Sequence, residues 1–395
     1  MIYTVATVTS MSNMLFGIMF LISMSLYCLR SYKILFIFFK VNLKKYNNIY
    51  YILSSKINCL FKYGCEKKMI IRAPSRIHMS LIDLNGSYRR VDGGIGLALA
   101  EPQFVLESKK TESGITLEFA DTVTDEEAIL ECQEKIPAAA QKTIDYFKID
   151  SGFHFIVHQT YPPHSGFGSG TQIAVSTAHL ITETMGIEVE SRVLSSVVGR
   201  GGTSGIGTYT HDLGGFILDG GHSKEEKPLF LPSGASKAKP ATLIARYDFP
   251  EEWDILIAIP HIEKHVEGDD EVDVFQTYCP IPKEEVEQVS HLILMNLVPF
   301  MLEKDIKNFG WAVSELQKVG FNKLEHSLDD SYLPTMQAIE DAGAYGVGIS
   351  SFGPVLYTVF DESNAFIVEK TKEIIGDKGT VFVTKAQNHG FVIEK

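Results

Sequence analysis

The residues best equipped for chemistry run from Pro162 to Gln172 and read Pro-Pro-His-Ser-Gly-Phe-Gly-Ser-Gly-Thr-Gln. Gly166, Gly168 and Gly170 let the backbone approach a ligand closely, and a helical pattern of small residues follows at once. The free N–H groups and positive end of such a helix favour an anion, and Ser169 and Thr171 add hydroxyls for phosphate or magnesium. The loop lacks the Gly-Lys-Ser/Thr of a Walker loop, and no early βαβ unit surrounds it as a dinucleotide fingerprint requires. A second glycine-rich run, Arg200-Gly-Gly-Thr-Ser-Gly-Ile-Gly207, brings Thr203, Ser204 and Gly205 into consideration.

Other side chains able to bind anions or move protons include Arg76, His78, Asp83, Arg200, His211, Asp219 and His222, whose roles follow from the resemblance described below. Arg matches phosphate or carboxylate bidentately. Each candidate also has a plain structural use. Arg76 could sit in a surface ion pair, Asp83 could cap the turn at Asn85-Gly86, and Asp219 could serve the turn at Gly220-Gly221. A single histidine in a core is more often structural than catalytic. His261 and His265, with Glu263 and Glu267 nearby, read better as a solvated helix face than as a metal pair. Glu267–Asp273 reads as an exposed acidic loop.

The elements that must hold these groups alternate in type. Strands are expected at 69–73, 77–84, 103–109, 115–120 and 152–159, with a hairpin turn at Asn85-Gly86. A helix follows from Ile129, Cys132, Ile136, Ala140, Ile144 and Phe147, and Pro137 should kink or restart it. Further helices are expected at 170–185 and 190–199, a glycine loop at 200–207 and a strand at 214–219. Residues 222–240, rich in Lys, Pro, Ser and Gly, look like a connection between domains. Beyond it come a buried strand at 253–260, helices near 283–297, 300–319, 329–342 and 362–375, a strand pair across Ser350–Gly353, and a strand at 380–385. This mixture predicts an α+β fold in two domains, 69–225 and 240–395.

Three stretches carry a resemblance. Pro-x-x-x-Gly-Phe-Gly-Ser-Gly resembles the phosphate loop of the galactokinase, homoserine kinase and mevalonate kinase (GHMP) superfamily. Ala73-Pro-Ser-Arg76-Ile-His78 is similar to its first motif, and Gly343–Val359, with Ser350 and Ser351, to its third. The implied fold is a ribosomal-S5-like N-terminal domain followed by a ferredoxin-like C-terminal domain. Two features depart from the kinases. They carry Ser-Ser-Ala where this chain has Ser169-Gly170-Thr171-Gln172, and they place an Asp near the second glycine run, where the nearest here is Asp212. Arg76–Gly86, Gly166–Gln172, Gly199–Gly207 and Gly214–His222 together resemble the archaeal β-ribofuranosylaminobenzene (ribofuranosylphenol) 5′-phosphate synthases, with the Gly-Arg-Gly-Gly-Thr-Ser-Gly block the most specific part.

That resemblance implies a pentosyltransferase of methanopterin biosynthesis. It joins phosphoribosyl pyrophosphate to 4-hydroxybenzoate or 4-aminobenzoate and releases carbon dioxide and pyrophosphate. On it, Gly166, Gly168, Ser169, Gly170, Thr171 and Gln172 hold phosphate, and Arg76 and Arg200 clamp phosphate or the benzoate carboxylate. Asp83 and Asp219 meet magnesium or ribose hydroxyls, with Ser169 a further magnesium contact. His78, His211 or His222 is the base for the phenol, and Thr203, Ser204, Gly205, Ser350 and Ser351 line the substrate cleft. It also implies Mg²⁺ as cofactor and a homodimer. The alternative is an ATP-dependent small-molecule kinase of the same superfamily.

Composition divides the 395 residues unequally. Residues 1–68 hold nine Lys/Arg and one acid, whereas 69–395 hold 27 and 48, so the net charge of −13 averages +8 and −21. An acidic body argues against a general nucleic-acid binder. The segment 1–68, apolar from Met14 to Leu29, fits either a membrane anchor or, as the favoured expectation, translated sequence upstream of a start at Met69. With that start the expected location is cytoplasmic with no membrane contact. Cys132 and Cys279 have no metal or disulfide spacing, as in a reducing compartment.

Overall fold

A 15-residue run with one face apolar forms β1 (Met69–Asp83), which folds back on β2 (Arg90–Thr111) as an antiparallel pair running from Met69↔Ser108 to Asp83↔Asp92. Two bulges interrupt this ladder, between Pro74 and Ser75 and between His78 and Ser80. The protein is described by a computed structural model at residues 68–232, 235–261, 269–351 and 353–395. The expectations for 1–67 and for the His265 pair therefore lie outside the described residues.

Beyond the hairpin come β3 (Ile115–Phe119), β4 (Gly152–Gln159), β5 (Phe216–Asp219), β6 (His222–Ser223) and β7 (Leu243–Tyr247). The second half adds β8 (Asp254–Pro260), β9 (Gly348–Ile349), β10 (Leu356–Phe360), β11 (Gly379–Thr384) and β12 (Val392–Glu394). The larger sheet has the order β12-β1-β2-β4-β3, with β5 and β6 also on β2 and β7 on β5. The smaller sheet is antiparallel, in the order β11-β8-β10-β9. The expected boundary at 225–240 does not separate the sheets, because β7 and β12 both return to the larger one. One continuous core joins Ile71, Phe104 and Phe155 to Ile257 and Phe309.

The helices are α1 (Glu126–Phe147), α2 (Ser169–Met185), α3 (Ser191–Val198), α4 (Ile206–Leu213), α5 (Asp269–Tyr278) and α6 (Lys283–His291). A π turn at Leu292–Leu297 carries α6 into α7 (Val298–Leu302), followed by α8 (Ile306–Leu316), α9 (Gly320–Leu328), α10 (Leu333–Asp341) and α11 (Ile367–Ile375). Pro137 neither breaks nor restarts α1. The Asp125 carboxylate caps the helix at the Ala128 N–H (2.8 Å), and a buried face of Ala128, Cys132, Ile136 and Ala140 holds it across the missing hydrogen bond. From Asp269 the expected acidic loop is α5, whose Phe275 is buried. Two further helices lie outside the expected pattern, α4 behind the glycine block and α9. Among the described residues, no helix is long and apolar enough to cross a membrane.

Candidate active site

The cleft grows from the N-terminus of α2. Gly168 is its N-cap in the left-handed region, φ +79°, and no side chain caps the helix, so its first N–H groups face the opening. A Cβ on Gly168 would stand 2.9 Å from Arg76 Nε, and one on Gly170 2.7 Å from Lys135 Nζ and 3.3 Å from an Arg200 nitrogen. The bare glycines therefore leave a hollow that three cations surround. Arg76 donates to the Gly166 carbonyl, and Arg200 Nε donates to Thr171 Oγ1 at 3.1 Å. The cleft measures about 280 Å³ and is lined by these groups with His78, Glu131, Thr203, Ser204 and Ser351.

Ser350 is fully buried and works from beneath. Its hydroxyl donates to Gly166 O at 2.7 Å and accepts the His78 backbone N–H at 3.0 Å, tying the smaller sheet to the phosphate loop. His78 itself lines the cleft with Nδ1 buried and unpartnered. Burial first, and Arg76 second, hold its pKa down to about 3. It is a neutral hydrogen-bonding group across the neutral range, a poor place to store a proton.

Asp219 lies at the root of the second glycine run. Its Oδ2 accepts from Gly205 N–H (2.9 Å) and Ser204 Oγ (3.1 Å), and its Oδ1 accepts from Gly221 N–H (2.9 Å). It is fully buried and does not reach the cleft, so the direct contact expected with magnesium or ribose is not what the structure places there. Burial raises its pKa to about 6 despite those donors. Ser204 connects it to the cleft. A Cβ on Gly94 would meet Ser204 Oγ at 3.3 Å and His78 Nε2 at 3.4 Å, so these two side chains flank one spot.

Three sequence candidates stand elsewhere. Asp83 Oδ1 accepts the backbone N–H of Asn85 (2.8 Å) and Gly86 (2.7 Å), so its carboxylate serves the turn. His211 is buried against His179 and Phe391 and bonds Ser176. His222 is buried between Asp92 Oδ2 (2.7 Å) and the Lys239 carbonyl (2.8 Å). Gln172, also buried, donates to Gly207 O and braces the glycine run.

The structure adds groups that the motifs did not contain. Glu131 on α1 pairs with Lys135 and accepts from Ser169 Oγ at 3.0 Å, leaving its other oxygen buried and unpartnered. The four-residue Glu–Lys spacing on a helix was visible in sequence, but nothing there said which face it took. Lys227 is buried and donates to Asp92 Oδ2 (2.9 Å), to Leu231 O (2.8 Å) and to Thr203 Oγ1 (2.9 Å). The supposed connection at 222–240 is thus a wall of the site, with Pro232 in the cleft and Pro240 against Gly201. Asp212 meets Ser191 and does not line the cleft, so it does not stand in for the absent kinase Asp.

Residues 134–214 match the family described as GHMP kinases N terminal domain. The chain is 46% identical over 324 residues to a beta-ribofuranosylphenol 5'-phosphate synthase of Methanothermobacter thermautotrophicus, covering 82% of this chain and 98% of that one. It is 42% identical over 335 residues to the protein of that name from Methanocaldococcus jannaschii, covering 82% and 100%. Among solved structures, homoserine kinase from Cytophaga hutchinsonii superposes with a TM-score of 0.59 at 16% identity, over 84% of this chain and 98% of that one. The last likeness shows the shared α+β GHMP fold.

Proposed function

The chain belongs to the family of beta-ribofuranosylphenol 5'-phosphate synthases, and from that premise we propose how its cleft makes an aryl C-riboside. The substrates are phosphoribosyl pyrophosphate and 4-hydroxybenzoate, the acid whose product is the phenol in the relatives' name, rather than 4-aminobenzoate. The ring carbon bearing the carboxylate bonds to the sugar carbon as pyrophosphate leaves with its electron pair. The ring–carboxylate bond then breaks, its electrons restore the aromatic ring, and carbon dioxide departs. The para hydroxyl gives up a proton in the first step and regains one at the end.

The observation that carries this assignment is the convergence of Arg76, Lys135 and Arg200 on the bare N-terminus of α2. Pyrophosphate departure needs positive charge fixed where negative charge develops, and oriented N–H groups with guanidinium and ammonium supply it without rearrangement. Magnesium belongs to the same proposal. The unpartnered Glu131 oxygen and the Ser169 hydroxyl are the groups that would hold it, since this ion is commonly bound by one or two carboxylates plus substrate phosphates. Bound there, it would neutralise diphosphate charge. Among the described residues no three His, Cys, Asp or Glu side chains converge on a metal site, and Asp83 is committed to its turn.

For the acceptor proton, His78 is unsuited as a reservoir, and Asp219 acting through the Ser204 hydroxyl takes that role. A homodimer and a cytoplasmic location complete the proposal; light scattering tests the first and cell fractionation the second. The decisive assay incubates the full chain with phosphoribosyl pyrophosphate, 4-hydroxybenzoate and Mg²⁺, and follows carbon dioxide, pyrophosphate and the C-riboside. All three should appear together. ATP consumption with no C-riboside would replace the transferase by a kinase.

A further inference from the structure

The cleft changes character along β1. Arg76 touches the phosphate loop at Gly166, His78 follows two positions on, and Leu81 comes three beyond that, clustered with Phe275 of α5 and Phe321 of α9. In a regular strand Leu81 would point away from the face that carries His78, because side chains alternate. The bulge between His78 and Ser80 inserts one residue and turns Leu81 back into the cleft. The strand thus presents a cation, a neutral imidazole and an aliphatic chain in order, over a distance of roughly 15 Å. Apart from Pro232, Leu81, Phe275 and Phe321 make up the apolar side-chain lining of the cleft among the described residues.

We propose that Leu81, Phe275 and Phe321 form the subsite for the aromatic ring of the acceptor acid, at the end of the cleft remote from the phosphate loop. This rests on the transferase assignment above, which requires ring and sugar to share one cavity. A flat ring gains most from flat, dry neighbours. The Phe275 and Phe321 rings stack at 6.3 Å with 28° between their planes, so they already touch, and the acceptor lies across the pair rather than between its members. His78 then stands between the ring and the anion end, beside Ser204, where the two can meet the acceptor's polar groups.

The test uses the full chain and reads two constants separately. Phe275→Leu and Phe321→Leu keep the volume apolar but remove the flat face. Each should raise the KM and the Kd for 4-hydroxybenzoate roughly three- to tenfold, the effect of losing an aromatic contact. The KM for phosphoribosyl pyrophosphate should stay within about twofold. Folded variants whose acceptor constants do not move, or whose two KM values rise together, overturn the subsite. The unaltered protein supplies the control should both variants fail to fold. 4-Hydroxybenzoate should bind it at least about tenfold more tightly than trans-4-hydroxycyclohexanecarboxylate, and equal binding overturns the proposal. Turnover with indifferent acceptor constants sinks the subsite alone. No turnover and no binding of either acid sinks the transferase assignment with it.

Discussion

Mild acid should destabilise this protein from about pH 6.5 downward, before ordinary carboxylates titrate, because its buried histidines resist taking up a proton while it is folded, three of them strongly. Burial is the leading cause at each. It holds His78 to about 3, with Arg76 adding to the effect, and His179 to about 4. It puts His211 well below the ordinary value, with the adjacent His179 ring adding to it. The unfolded chain protonates all three near pH 6.5. A depressed pKa means stability that is complete above about 6.5 and is lost as pH falls through the folded values. Asp219 works in the opposite sense. Its raised pKa of about 6 lets the folded form take a proton first, which offsets part of the loss as pH falls. At pH 5.5 the unfolded chain holds about 2.7 protons on the three imidazoles and the folded one about 0.8 on Asp219, a difference near 2. The slope is then roughly 3 kcal/mol per pH unit. Between pH 7 and 5 that removes about 4 kcal/mol, enough to bring a protein at the lower end of the usual range of about 5–15 kcal/mol close to its midpoint. Urea unfolding followed by circular dichroism at pH 7, 6 and 5 measures the slope. His179→Gln should lower it by about 1.4 kcal/mol per unit, whatever it does to the stability at pH 7. A flat profile between pH 7 and 5, or an unchanged slope in that variant, would refute the account.

Four further outcomes concern the site. Gly168→Val places a branched side chain at φ +79° and 2.9 Å from Arg76 Nε, and should weaken phosphoribosyl pyrophosphate binding at least about tenfold, read as its KM. Arg200→Ala should raise the same KM about ten- to a hundredfold, the size of a lost charge-assisted hydrogen bond, and leave the acceptor KM nearly constant. Activity should fall below about pH 6 as Asp219 protonates, and Asp219→Asn should abolish this acid limb along with most of kcat; an unchanged limb would remove Asp219 from the proton path. Glu131→Gln should shift half-saturating Mg²⁺ upward several-fold, and an unaltered metal titration would place the ion elsewhere.

Much of the anion end was legible because short-range chemistry writes it. A glycine run before a small-residue helix needs no tertiary knowledge and marks Gly166–Gln172, whereas Arg76 and Arg200 are picked out by the family resemblance and by the anions a guanidinium binds. Gly152–Gln159 could be read to the residue from alternation alone. The errors share one cause, which is that neighbours distant in sequence decide what a polar group does. Asp83 is the exception, since its carboxylate takes the local turn reading on the Asn85 and Gly86 N–H groups, whereas His211 is decided by the rings of His179 and Phe391 that close over it. Lys227 sat in a segment with the composition of a linker, yet its ammonium is buried against Asp92 from the first hairpin. Phe275 and Phe321 carried no signal, since an apolar residue on a helix looks the same whether it faces a core or a substrate. The bulge at His78 is likewise invisible to a period-two reading, which would have placed Leu81 on the wrong face.

The outer edge of the larger sheet has a consequence for biogenesis. Ile70, Ile71 and Arg72 pair with Glu394, Ile393 and Val392, and the Arg72–Glu394 contact spans 322 positions of chain. While the ribosome is still making the second half, the strand that carries Arg76 and His78 has its β2 neighbour on one side only. Its other edge is a row of unsatisfied amides and carbonyls, open to any extended segment nearby. The nascent protein must keep that edge from foreign strands until residues 392–394 emerge, which at about 5–20 residues per second takes a quarter of a minute or more. Deleting those three residues should therefore cost more in soluble yield than in the activity of the molecules that survive.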